Sequence, residues 1–166
     1  LGDVYKRQMS GYAAQNHTAY INENGEVIET GIDIIVDGAA LDFSGVHEPV
    51  IIDGRTLIPM RKLFETLNAE VSWDENEQSI TASSNGTTVK LFIDNSVMYV
   101  NGVSTVLDTA PRLMKYNDNF DTTMVPVRAV SESFSCDVNW DEENYSVIIT
   151  TIPVSYTHLR AHETGR

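Results

Sequence analysis

Two histidines, one cysteine, two acidic turns and two Arg–Glu pairs supply most of the chemistry available in the body of this chain. His47 beside Glu48 would suit one arm of a metal or acid/base site, because imidazole titrates near neutral pH. His17 lies far off in sequence and neither histidine has a second one at ligand spacing, so His47 reads as a surface-loop residue. The runs Asp74-Glu75-Asn76-Glu77 and Asp141-Glu142-Glu143-Asn144 gather oxygens, as calcium requires. They lack the glycine and the alternating ligand spacing of a dedicated calcium loop and read as solvated hairpin turns. Arg61 with Glu65, and Arg128 with Glu132, stand at i, i+4 on helical stretches, where an exposed pair contributes only a few tenths of a kcal/mol. They are expected to tie helix to sheet rather than to catalyse. Trp73 and Trp140 share the strand phase of Val71 and Val138 and are expected to pack in the core rather than stack on sugars. Cys136 falls between a helix and a strand, a place for a packed thiol. No glycine-rich phosphate loop follows a strand and no Gly-x-Ser-x-Gly elbow occurs. No catalytic, cofactor-binding or metal-ligating residue is therefore nominated, no cofactor is expected, and the binding residues stay open.

The elements that carry these residues come twice. LIPMRKLFETLNAEVSWD, beginning at Leu57, returns as MVPVRAVSESFSCDVNWD, beginning at Met124. Val36-Asp37-Gly38 is answered by Val100-Asn101-Gly102 at an offset of 64, Pro49 by Pro111 at 62, and everything from Pro126 onward by an offset of 67. The second copy therefore carries five additional residues within 112–123, a polar stretch containing Asn117-Asp118-Asn119 and read as a loop. Because it is where the copies differ most, this loop is the place to expect function.

Within each copy the periods are those of short strands and one helix. Ile32, Ile34 and Val36 alternate into an Asp-Gly turn, and Asn85-Gly86 marks a second hairpin. Pro59 suits the first helical position, followed by an apolar stripe of Met60, Leu63, Phe64 and Leu67, with Asn68 as a left-handed terminator. The second stripe is Val127, Val130, Ser131 and Phe134. These patterns predict an α+β fold of two tandem repeats, each a small antiparallel sheet packed on one short α-helix, with strands exchanged between copies through residues 88–100. The expected organisation is a leader, linker or loose hairpin over 9–31, copy one over 32–93 and copy two over 94–153.

The order turn-Gly, Pro-x-Arg, Glu one helical turn later and then Val-x-Trp-Asp, met twice between Ile32 and Thr151, resembles the copper amine oxidase N-terminal domain-like family, the bacterial stalk domain. That resemblance implies a non-catalytic extracytoplasmic stalk or interaction module, extracellular or at the cell surface. Such a module positions or supplements another domain, or binds a cell-surface component. The alternative is an accessory domain of a truncated secreted hydrolase or oxidase. The partners it implies are a cell-wall polymer or another protein domain. An oxidase of this name needs three copper-binding histidines and a tyrosine followed by an acid. Here Asn144-Tyr145 is followed by Ser146, so no enzyme is expected.

The two ends differ from the chain between them. Residues 3–8 can be encoded as GAT GTG TAT AAG AGA CAG, whose reverse complement in a shifted frame encodes Val154-Ser155-Tyr156-Thr157-His158. Residues 1–8 and 154–166 accordingly read as translated sequencing adapter, and the body as a fragment. Without those ends the 11 basic and 24 acidic residues become 7 and 22, a formal charge of −15 in place of −13. Nucleic acid and anionic membrane bind largely through Lys and Arg, so neither is expected as partner. A single cysteine precludes an intrachain disulfide, and no apolar run approaches the roughly 20 residues of a membrane helix, so no membrane insertion is expected. An independent genomic read through the locus is expected to leave the frame of these codons at both ends, and one continuing through them would refute the adapter reading.

Overall fold

The computed structural model describes residues 17–151. The presumed adapter ends and the first part of the 9–31 segment lie outside the described residues. Strands β1 (Thr18–Ile21), β2 (Val27–Thr30), β3 (Asp33–Val36), β4 (Ala39–Ala40), β5 (Val50–Ile52) and β6 (Arg55–Pro59) lead into helix α1 (Met60–Thr66). There follow β7 (Glu70–Asp74), β8 (Ser79–Ser84), β9 (Thr87–Phe92), β10 (Asn95–Val100), β11 (Val103–Val106), β12 (Arg112–Asn117) and β13 (Phe120–Pro126), then helix α2 (Val127–Ser133), β14 (Asp137–Asp141) and β15 (Ser146–Thr150). Three sheets result, ordered β1-β2-β5-β6-β13-β12, β11-β10-β9-β8-β7 and β14-β15-β3-β4.

This corrects the expected α+β architecture. The molecule is mostly β, and its sheets are not shared out one to each repeat with a helix apiece. The helices are only seven residues long, two turns that cannot stand without the strands they pack on. The six-stranded sheet runs through both halves, joined where β6 meets β13. Strands β3 and β4 complete the sheet of β14 and β15, with β3 parallel to β15, while β10 and β11 lie beside β9. Hairpin β1–β2 is held to the six-stranded sheet by pairing of β2 with β5.

The helix stripes are as their spacing predicts. Met60, Leu63, Phe64 and Leu67 are buried, as are Val127, Val130 and Ser131, and Phe64 meets Phe134 edge to face with centroids 6.2 Å apart. Ser131 stands where the first helix has Phe64, and its hydroxyl has no hydrogen-bond partner among the described residues. Both helices end alike. Asn68 and Ser135 take φ of 56° and 68°, and the amides of Ala69 and Cys136 reach back to the carbonyls of Phe64 and Ser131 at 2.9 and 3.0 Å. That is the Schellman arrangement, which satisfies carbonyls the helix end would leave open. Pro59 and Pro126 serve as helix N-caps in extended backbone, so Pro59 stands one position before the first helical residue and not, as expected, at it.

A second, smaller core of Ile28, Val50, Ile52, Leu57 and Met124 lies within the six-stranded sheet, with Met114 of β12 packed against it. Flat, that sheet would hold β2 and β12 roughly 19 Å apart, four strand spacings. Yet Arg112 donates through both terminal nitrogens to Glu26, at 3.0 and 2.9 Å, which requires the sheet to curl on itself. The guanidinium bond, with a further one from Asn22, lowers the Glu26 carboxyl from 4.5 to about 2. A carboxyl depressed in the fold adds stability above its unfolded value, lost as pH falls through the folded one. Arg112→Gln is expected to cost about 1–2 kcal/mol at neutral pH after solvent screening. It should also flatten the fall in melting temperature between about pH 4.5 and about pH 2. A variant that keeps the wild-type pH slope would show that the pair does not close the sheet.

Candidate functional site

A groove of about 680 Å³ opens where the two halves meet. Most of its wall comes from four separated stretches, the β5–β6 turn with Arg55, β11 and the following Leu107 to Thr109, the start of α2, and β14, and Glu29 of β2 and Val147 of β15 complete it. The β5–β6 turn can form because Asp53 and Gly54 take φ of 52° and 75°, which suits the left-handed positions of a two-residue hairpin. Arg55 then meets Asp108 at 3.3 Å and donates to the Asp53 carbonyl at 3.2 Å.

The opposite wall is built by Arg128, Glu132 and Trp140. Arg128 pairs with Glu132 at 3.2 Å, and the same Nη1 donates to the Val138 carbonyl at 2.8 Å. The expected i, i+4 pair thus ties helix α2 to the outer edge of β14. Its counterpart does not form: Arg61 and Glu65 are both exposed and make no ion pair among the described residues. Trp73 and Trp140 require a correction. Each has the predicted phase, lying across from buried Ile80 and Val147. Both sit on outer strands that overhang the core, however, and remain 40% and 37% exposed. The Trp140 indole N–H donates to Glu142 at 2.7 Å, and its ring meets Tyr145 edge to face at 5.0 Å.

Behind Trp140 a buried tyrosine anchors the first hairpin. The Tyr145 hydroxyl donates to Glu29 at 2.6 Å, His17 Nε2 contacts the same oxygen at 3.0 Å, and the two rings lie 3.9 Å apart. Burial, then the Glu29 bond, pushes the phenol upward, so it stays protonated and serves as a donor. His47 is elsewhere, its Nδ1 2.6 Å from the Glu48 carbonyl and its ring beside Tyr116. The described histidines do not converge, and no group of three or more His, Cys, Asp or Glu among the described residues is placed to hold a metal. The described residues therefore do not fit a copper centre. The acidic turns spend their oxygens locally: Asp74 accepts the amides of Asn76 and Glu77, and Asp141 that of Asn144.

Residues 112–123 are not a loop. They form most of hairpin β12–β13, with Asn117 Oδ1 accepting the amides of Asn119 and Phe120 across the tip, and they do not line the groove. Arg55, Asp108 and β11 were not singled out from sequence. The signal that marks β11 is its composition, a strand of Val, Ser and Thr with no charge. Cys136 is packed, as expected, and burial raises its thiol to about 11, which leaves too little thiolate for a nucleophile. That displacement, from 9.0, lowers the thiolate fraction about 100-fold. Modification of native protein by a disulfide reagent at about pH 8 is thus expected to be at least that much slower than in denaturant. Equal rates would place the thiol at the surface.

The family model of the copper amine oxidase N-terminal domain matches residues 35–149. No curated protein matches the chain significantly. The match takes in both helices, both tryptophan strands and the whole of β11. The chain belongs to the copper amine oxidase N-terminal domain family, to its accessory and not its catalytic part.

Proposed function

We propose that this chain is a non-catalytic, extracytoplasmic interaction module, built by duplication, that binds a cell-surface component or a neighbouring protein domain through the groove between its halves. The observation that carries this reading is the groove itself. It is large enough for a ligand, apolar over much of its wall, and rimmed by Arg55, Arg128, Glu132 and an exposed tryptophan, the mixture of anchors and orienting polar groups found in binding sites. Nothing in it pairs a nucleophile with a base. The cysteine is buried, and the buried phenol of Tyr145 is held by a carboxylate.

Support for duplication comes from geometry that repeats. The two helices end in the same Schellman arrangement, Gln78 and Tyr145 take the same left-handed turn position, and Ser79 and Ser146 are both buried one residue later. Placement outside the cytoplasm rests on the family resemblance.

The test is co-sedimentation of the full chain with purified, protein-free bacterial cell wall, and capture of secreted proteins by the immobilised chain. Each is compared with Trp140→Ala and with Arg55→Ala. Binding in either format that falls at least about fivefold in both variants, roughly 1 kcal/mol, is the expected outcome. Binding that both variants retain in full, or none by the wild type, would refute the groove as a binding site.

A further inference from the structure

The three sheets have six outer strands: β1, β12, β11, β7, β14 and β4. Outer strands offer unpaired amides and carbonyls to any extended chain, and proteins blunt them with charge, brevity or covering groups. Strands β7 and β14 carry an acid at each end, and Arg128 covers the Val138 carbonyl on β14. Arg112 and Lys115 lie on β12, and β4 is two residues long. Strand β1 is uncharged but does not border the groove. Strand β11 carries none of these protections. Its four residues are exposed and uncharged, Val103 by 68% and Val106 by 80%, and its pairing with β10 runs through four consecutive partners without a bulge.

The outward groups can be assigned. The Leu107 amide donates to the Ser96 carbonyl at 2.6 Å, which turns residue 107 toward β10. Antiparallel strands alternate, so Thr105 also faces β10 while the amides and carbonyls of Ser104 and Val106 face away. Thr105 and Val106 line the groove. Electrostatics narrow the occupant. The chain carries a formal charge of −13, and the groove wall holds Glu29, Asp108 and Glu132 against Arg55 and Arg128, each guanidinium already paired with an acid. A second copy of so acidic a chain would be repelled, whereas a basic segment would be drawn in.

We propose that the groove takes an extended, basic peptide segment of a partner, added as a further antiparallel strand on the outer edge of β11. This rests on the groove being the binding site and names its ligand. The segment exchanges main-chain hydrogen bonds with Ser104 and Val106. Alternate side chains lie against Trp140 and reach the acids Asp108 and Glu132.

The probe is an acetylated and amidated hexapeptide of alternating valine and lysine, titrated into the isotope-labelled full chain and followed by amide NMR, with a hexamer of N-acetylglucosamine as the second probe. The peptide is expected to shift the Ser104 and Val106 amides and to slow their hydrogen exchange at least about tenfold at saturation. Val106→Pro removes an outward amide without breaking a ladder bond, a substitution outer strands tolerate, and is expected to abolish the effect. If that variant fails to fold, exchange at Ser104 and Val106 in the wild type still decides. Shifts confined to β1, or a folded Val106→Pro that binds undiminished, overturn the proposal. Shifts at Trp140 with the sugar and none with the peptide overturn the peptide class while leaving the groove as a binding site. Silence from both probes at the groove sinks the peptide proposal, and whether the groove binds at all then rests on the sedimentation and capture comparison.

Discussion

The antiparallel pairing of β6 with β13 is the contact on which the rest depends. Leu57 lies opposite Pro126, Ile58 opposite Val125 and Pro59 opposite Met124. Since Leu57, Ile58 and Pro59 correspond by sequence to Met124, Val125 and Pro126, each strand offers the other the same triplet in mirrored register, as the two sides of an isologous dimer interface do. Both central residues are fully buried. Each strand runs directly into a helix capped by its proline, so one short pairing fixes where α1 and α2 start and which way their apolar stripes face. A proline at that place costs little. It ends the strand, and the helix's first amides have no intrahelical partner in any case.

From that pairing the two cores follow. Residues on one side of the six-stranded sheet join the helices and the other two sheets in the main core, while Leu57 and Met124 face the smaller cluster that the curled sheet encloses. The smaller cluster has only five buried residues, and charge-assisted bonds supply closure beside it. Arg112 with Glu26 draws the edges of the curled sheet together, and Tyr145 with Glu29 fastens the first hairpin to a turn of the four-stranded sheet. Each joins residues more than 80 positions apart, so the fold is stapled by non-local polar contacts where a disulfide is unavailable.

Sequence legibility followed the range of the interaction. Periods and turns are local, and those were readable: both helical stripes, the Asx-Gly hairpins, the left-handed Asn68 and the pair of Arg128 with Glu132. Strand neighbours are not local. The parallel contact of β3 with β15 joins residues more than a hundred positions apart, and an Ile-Ile-Val strand would suit either sheet. The tryptophans show the same limit: phase was readable, but exposure depends on whether the strand is an outer one. Hairpin β12–β13 passed for a loop because it is exposed on both faces over most of its length and so lacks an apolar side to mark. The groove was hidden most completely, since its walls are separate segments running from β2 to β15 that only strand pairing between residues far apart in sequence brings together.

The two helices differ in what the arginine near their start reaches. Each half contributes an arginine one position into its helix, but only Arg128 reaches the carbonyl of the following strand. One outward carbonyl of β14 is thereby covered, while β11, at the same groove, is left bare. Four uncharged exposed residues thus stand at the same groove as a strand whose Val138 carbonyl is covered and as two ion pairs. The difference between the two matching stretches of sequence, which looked concentrated in residues 112–123, is also the difference between a strand with a covered carbonyl and a bare one.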